Sequence, residues 1–173
     1  MTASRPLLVV LAGRPGTGKT TVARLLAREL GAAYLRVDAI ETALVRGGVA
    51  THPMGPVGYV IAHELAAGTL AVGTAVVVDA VNPVPEARAG WWLLADSARV
   101  VVLETVLTDP AEHQRRVAAR RPDLPGQSVP TWDDVVGADY VTWDEGRDGK
   151  RHTIDMTDAQ QGLAAALAYL HEQ

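Results

Sequence analysis

The stretch from Leu7 to Gly31 constrains the fold more than any other part of the chain. The apolar run Leu7–Leu11 leads into Gly13-Arg14-Pro15-Gly16-Thr17-Gly18-Lys19-Thr20. Thr20–Leu30 then carries Val22, Leu25, Leu26 and Leu30 at helical spacing until Gly31 stops it. A short run that is apolar throughout is a strand buried on both faces. The segment is therefore strand, glycine-rich turn and helix, which is the context the pattern G-x-x-x-x-G-K-[ST] requires. Gly13, Gly16 and Gly18 let backbone N–H groups turn inward at a helix N-terminus, where negative charge is favoured. The turn, with Thr21 directly after it, reads as a phosphate cradle. Lys19 would reach the β- and γ-phosphates of a nucleoside triphosphate, and the Thr20 hydroxyl would hold Mg²⁺. The plainer alternative is a tight turn with an incidental lysine, but one of the chain's only two lysines, Lys19 and Lys150, falls on the motif.

The rest of the chain repeats the strand-then-helix rhythm. Strands are predicted at Ala75–Val78 and Val100–Leu103, and more weakly at Ala33–Val37 and His152–Asp155. Helical patterns cover Ala39–Val45, Val57–Val72, Glu86–Ala95, a segment starting at Asp109, and Thr131–Asp139. A last helix carries Leu163, Leu167 and Leu170, with Thr157 and Gln160 at capping-box spacing. Such alternation implies an α/β fold with a parallel sheet of about five strands and right-handed crossovers. Hydrophobic residues make up 48% of the 173 and Phe is absent, so the core must be built from Ala, Val and Leu. The absence of Cys excludes disulfides and thiolate metal sites. A net charge of −4 argues against a nucleic-acid footprint. No apolar run approaches the ~20 residues of a membrane span, and a cytoplasmic protein is expected. Gly47–Gly58 and Pro122–Pro130 interrupt the rhythm and read as binding loops. The expectation is one domain, residues 1–173, with a lid at about 116–135 and a substrate-side flap at about 38–60.

Three further features belong with the cradle. Asp79 ends an apolar strand, where a carboxylate positions Mg²⁺; the alternative is a turn-forming Asp before Asn82-Pro83. Asp38 follows the second strand as either a helix N-cap or a general base toward an acceptor hydroxyl. Arg115, Arg116, Arg120 and Arg121 crowd the end of the helix that starts at Asp109. Cations there are favoured by the helix dipole, but four opening into a Pro/Gly lid suit a clamp on a transferring phosphoryl group.

With these pieces the chain resembles small P-loop kinases of the nucleoside/shikimate/gluconate kinase type. It is nearest the AAA-like group that includes polynucleotide 5′-kinase domains and antibiotic phosphotransferases. The residues carrying the resemblance are the phosphate loop, Asp38, Val77-Val78-Asp79-Ala80-Val81-Asn82, Arg88, Arg116-Val117-Ala118-Ala119-Arg120 and Ile154-Asp155. The resemblance implies a three-layer P-loop NTPase fold with strand order 2-3-1-4-5. It also implies Asp38 as the acceptor base, Arg116 and Arg120 as lid arginines around the nucleotide, and a loop after Asp155 beside the adenine. The stretches that gluconate and shikimate kinases carry after their third strand are absent. Candidate acceptor contacts are His52, Tyr59, Asn82 and Arg88, the last two through the resemblance, followed by His63, Trp91, Trp92, Trp132 and Trp143.

The expected activity is ATP-dependent transfer of the γ-phosphoryl group to a hydroxyl of a small molecule, by a monomer or homodimer, with ATP and Mg²⁺ bound. A nucleoside, nucleotide or nucleic-acid end kinase and a slowly hydrolysing regulatory module are the alternatives. With no basic track or aromatic platform visible, a small acceptor is preferred over a polymer.

Overall fold

The computed structural model describes residues 5–173. Five strands form the sheet: β1 (Leu7–Ala12), β2 (Ala33–Arg36), β3 (Val76–Asp79), β4 (Arg99–Val106) and β5 (His152–Asp155). They pair only in parallel, in the order β2-β3-β1-β4-β5. Helix α1 (Lys19–Glu29) joins β1 to β2, while α2 (Val37–Arg46) and α3 (Val57–Ala71) join β2 to β3. The remaining helices are α4 (Pro85–Trp92), α5 (Pro110–Ala119), α6 (Trp132–Gly137), α7 (Glu145–Asp148) and α8 (Ala159–Glu172). The parallel five-stranded sheet is as the sequence predicts, and the strand order is the one the resemblance implies.

Alternation along the strands divides the core in two. Leu8, Val10, Val76, Val78 and Val102 point to one face and pack with Ala62, Ala66 and Trp91 of α3 and α4. Val9, Leu11, Val77, Val101 and Leu103 point to the other and meet Val22 and Leu26 of α1 and Ala166 and Leu170 of α8. Both faces of the central strands are thus covered, which is why their sequences are apolar without interruption. Burying each such side chain contributes roughly 1.5–3 kcal/mol. Among the described residues no helix is long and apolar enough to cross a membrane.

Local details differ from expectation at the helix starts. Helix α2 begins at Val37, directly after Arg36, so Asp38 lies within its first turn and is not the N-cap. Helix α8 is capped by Asp158, whose carboxylate accepts from the N–H groups of Gln160 and Gln161. Thr157 instead donates its hydroxyl to Asp155. The capping box occurs at α6, where Thr131 and Asp134 bond reciprocally. Helix α4 stops at Trp92 rather than Ala95, and the short α7 carries no periodic signal that sequence reading could use.

Candidate functional site

In an open parallel sheet the crevice lies beyond the carboxyl ends of the strands, where connections leave in opposite directions. Here β1 is that strand, lying between β3 and β4, and the loop 13–18 leaves it at the crevice. Gly13, Gly16 and Gly18 have φ of 129°, 84° and 96°. A Cβ on Gly13 would meet the Thr105 carbonyl at 2.5 Å, and one on Gly16 would meet Val117 at 2.6 Å. The glycines therefore permit both the turn and the close seating of β4 and α5 around it. Thr17 is buried and braces the loop, bonding the Arg14 carbonyl at 2.8 Å and Thr105 Oγ1 at 2.7 Å. Pro15 and Thr21 line the cleft. The Arg14 side chain turns away from it, donating to the Val135 carbonyl at 2.7 Å and lying over Tyr140.

Lys19 Nζ is bonded to the carbonyls of Gly13 and Arg14, each at 2.8 Å. Burial pushes its pKa down to about 8, and Asp79 and Asp38 oppose that shift. Thr20 donates to Asp79 Oδ2 at 2.7 Å, and Tyr34 donates to the same oxygen at 2.8 Å. The donor set is one hydroxyl and one carboxylate at the cradle's mouth, and no group of three His, Cys, Asp or Glu gathers among the described residues. Such a set fits a Mg²⁺ ion whose other ligands are phosphate oxygens and water.

Across the cleft, Asp38 Oδ2 lies 3.4 Å from Arg36, 3.5 Å from Gln127 Nε2 and 3.6 Å from Arg120. Its Oδ1 receives no bond from the described residues. Arg36 is central and was not foreseen. Its side chain is only 3% exposed and grips Asp123 of the 120–131 segment with bonds of 2.7 and 3.0 Å. Arg36 Nε is buried without a hydrogen-bond partner among the described residues, 3.8 Å from Asp79. A second arginine, Arg24 of α1, reaches Asp123 at 2.9 Å. These two arginines hold Asp123 down to about 2.

Helix α5 ends at Ala119, and the four arginines about its end, Arg115 and Arg116 within it and Arg120 and Arg121 after it, separate into different roles. Arg115 pairs with Glu112. Arg116 also pairs with Glu112 and donates to the carbonyls of Met156 and Thr157 at 2.8 and 2.9 Å, fastening the loop after β5. Arg121 donates to the Arg120 carbonyl. Arg120 alone of the four approaches Asp38 across the cleft.

Three expected acceptor contacts are placed elsewhere by the structure. Asn82 is 1% exposed, donating to the Leu11 carbonyl and accepting from Trp91 Nε1, each at 2.8 Å. Arg88 is 1% exposed, bonded to Asp148 and to the carbonyls of Asn82, Pro83 and Val141. Neither has a polar group to offer a substrate; both brace the turn after β3 and its neighbours. Tyr59 takes the Asn82 N–H on its hydroxyl and lines a separate groove of about 740 Å³ between α3 and α4 with His63 and Trp91. Asn82 and Arg88 were candidates through the resemblance and Tyr59 through the helix after the Gly47–Gly58 loop, and neither signal can tell a scaffold bond from a free donor. Of the substrate-side residues, Asp38 and His52 line the main cleft of about 560 Å³, together with Glu41 and Thr42, which the sequence had not singled out.

A glycine-rich loop at the switch point of a 2-3-1-4-5 parallel sheet, with its lysine and threonine turned to one cleft, defines a P-loop NTPase of the kinase-type fold. Within that class the chain belongs to the AAA domain family, which matches residues 8–131. No curated protein matches its sequence. Solved structures of the same fold include an unliganded sugar kinase from Janibacter sp. HTCC2649, at 18% identity and TM-score 0.71, covering 96% of this chain and 95% of that one. Kti12 of Chaetomium thermophilum, in complex with ADP-AlF3, matches at 17% identity and TM-score 0.70, with 95% and 97% covered. The Mycobacterium tuberculosis APS kinase CysC, in complex with AMPPNP and APS, matches at 19% identity and TM-score 0.66, with 98% and 99% covered. At these identities the likeness is one of fold.

Proposed function

We propose that the protein is an ATP-dependent phosphotransferase that moves the γ-phosphoryl group to a hydroxyl of a small molecule. One observation carries the reading. A phosphate loop with Lys19, Thr20 and Asp79 faces a carboxylate, Asp38, that has one oxygen unbonded and an arginine, Arg120, beside it. A module that only senses nucleotide needs no carboxylate at that place. The kinases of similar fold add support, since one acts on a sugar and another is described with APS bound.

The loop N–H groups and Lys19 take the β- and γ-phosphates, the lysine exchanging the Gly13 and Arg14 carbonyls for phosphate oxygens. Thr20 and Asp79 would hold Mg²⁺, which neutralises charge on the phosphates. Asp38 Oδ1 accepts the proton of the acceptor hydroxyl as its oxygen bonds to the γ-phosphorus. The bond from that phosphorus to the oxygen bridging the β-phosphate breaks, and ADP leaves with the electron pair. Arg120 faces the charge on the transferring group, where a preformed guanidinium is most effective. Arg116, fastened to the loop after β5, shapes the nucleotide side of the cleft as a positioning residue.

The test is Asp38→Asn, read as label transferred from ATP to a panel of hydroxyl compounds. Transfer is expected to fall by ~10²–10⁴-fold, the usual worth of a positioned proton acceptor, with ATP affinity nearly preserved. ATP turnover that no acceptor raises above the acceptor-free rate, in the wild type, would defeat the reading.

A further inference from the structure

Glu41 stands three residues beyond Asp38 on α2 and lines the same cleft. At this spacing the two side chains are neighbours, with Cβ atoms about 5–6 Å apart. The seat of Glu41 is closely built. The first turn of α3 closes over it at Gly58, where a Cβ would come within 2.5 Å of Glu41 Cγ and 2.7 Å of its Oε1. Burial and the charge of Asp38 raise the pKa of the Glu41 carboxyl to about 7, and no bonded partner among the described residues relieves it.

The cations around the cleft are occupied by other groups. Lys19 sits on the loop carbonyls, Arg24 and Arg36 hold Asp123, and Arg116 holds Glu112 and two carbonyls. Arg120 has Asp38 as its ion-pair partner and Arg115 has Glu112, while Arg121, which also lines the cleft, donates to the Arg120 carbonyl. The acceptor half of the cleft therefore presents a second carboxyl with no counter-ion. A carboxylated or phosphorylated molecule placed against α2 would bring its charge up to the carboxyls of both Asp38 and Glu41. A molecule carrying O–H or N–H donors would give Glu41 the partner it lacks.

We propose that Glu41 selects the acceptor, and that the acceptor is a non-anionic polyol or amino alcohol whose second O–H or N–H donor bonds to Glu41 while its reacting hydroxyl faces Asp38. The proposal rests on the phosphotransferase reading and names the substrate class of that same site. His52 and Thr42 line the same cleft of about 560 Å³, which the acceptor would share with the nucleotide.

Two matched sets of compounds test it: glucose, glucosamine and gluconate, and glycerol, serinol and glycerate. Each is measured twice against wild type, Glu41→Gln and Glu41→Ala. One measurement is label transfer from ATP; the other is calorimetric binding to protein held with ADP and Mg²⁺. Melting temperatures confirm that the variants fold. Neutral or amino compounds are expected to bind and the carboxylates not, with Glu41→Ala losing about tenfold or more for whichever compounds bind. Glu41→Gln tells the two donor sources apart: it keeps a neutral polyol within a few-fold and loses an amino compound as alanine does. Binding without transfer, with that dependence on Glu41, would uphold the subsite while ending the phosphotransferase reading. Binding of the carboxylates alone, binding of none of the six, or indifference to Glu41→Ala would overturn the proposal.

Discussion

Lys19 shows how much a single side chain depends on what surrounds it. The motif announced its place in the sequence, because only one arrangement of glycines, lysine and threonine makes that turn. Its environment was not legible: burial depresses the ammonium to about 8, against the pull of Asp79 and Asp38. Bound phosphates favour the charged form, so nucleotide binding takes up a proton wherever free Lys19 has lost one. ATP affinity is therefore expected to hold below pH 8 and to weaken as pH rises through it, up to tenfold per pH unit. The nucleotide's own phosphates are fully ionised there and do not mask the effect. Titrations of a non-hydrolysable analogue from pH 6.5 to 9.5 would measure it, and a flat profile would mean Lys19 stays charged in the free cleft. Glu41 is shifted in the opposite direction, and its consequence is for folding. A carboxyl raised to about 7 binds its proton more tightly in the folded state, so its contribution declines as pH rises from the ordinary carboxylate range through about 7. Glu41→Gln should therefore raise the melting temperature more at pH 8 than at pH 5.

At the scale of elements, sequence reading located β1, β3 and β4 by their uninterrupted apolar runs, β2 and β5 more weakly because theirs are broken by polar residues, and the longer helices by periodicity. Two things escaped it. Asp38, Asn82 and Arg88 were all polar candidates for the acceptor side, yet only Asp38 faces the cleft; the Asn82 side chain bonds Leu11 of β1 and Trp91, and Arg88 bonds Asp148 and carbonyls of the turn after β3. The second omission is the bidentate pair between Arg36 and Asp123, separated by 87 residues. No local pattern encodes such a pair. Its consequence is mechanical: it pins the 120–131 segment to the end of β2, and that segment carries Arg120 to within 3.6 Å of Asp38. Asp123 is exposed by 39% while Arg36 is buried, so Asp123→Ala removes a partner and strands a desolvated cation near Asp79. Amide exchange across 120–130 should accelerate in that variant, and transfer should fall by ten- to a hundredfold with the KM for ATP moved less than kcat. Unaltered exchange in that segment would show that the pair does not hold it.

The molecule as a whole ties its stability to this cleft. The sheet is continuous from β2 to β5, and both halves of the core lie on it, so the strand ends that build the cleft are the strand ends of the entire core. A ligand that engages the loop after β1, Asp79 after β3 and the fastened loop after β5 touches three of the five strands at once. If residues 5–173 act as a single domain, such a ligand cannot stabilise one part and leave another to melt first. Ligand binding to the folded state alone adds RT ln(1 + [L]/Kd), about 2.7 kcal/mol at a hundred times Kd. For a chain of this size each kcal/mol moves the melting temperature by roughly 2–4 °C. Saturating ATP and Mg²⁺ are therefore expected to shift one calorimetric transition upward by about 5–11 °C without splitting it. Lys19→Ala should show the same single transition with most of the shift lost, since the glycines set the loop's turn and the variant gives up only the bonds from Lys19 to the Gly13 and Arg14 carbonyls. Two transitions, only one of them responding to nucleotide, would mean that the sheet does not unfold as one unit and that the single-domain reading is wrong.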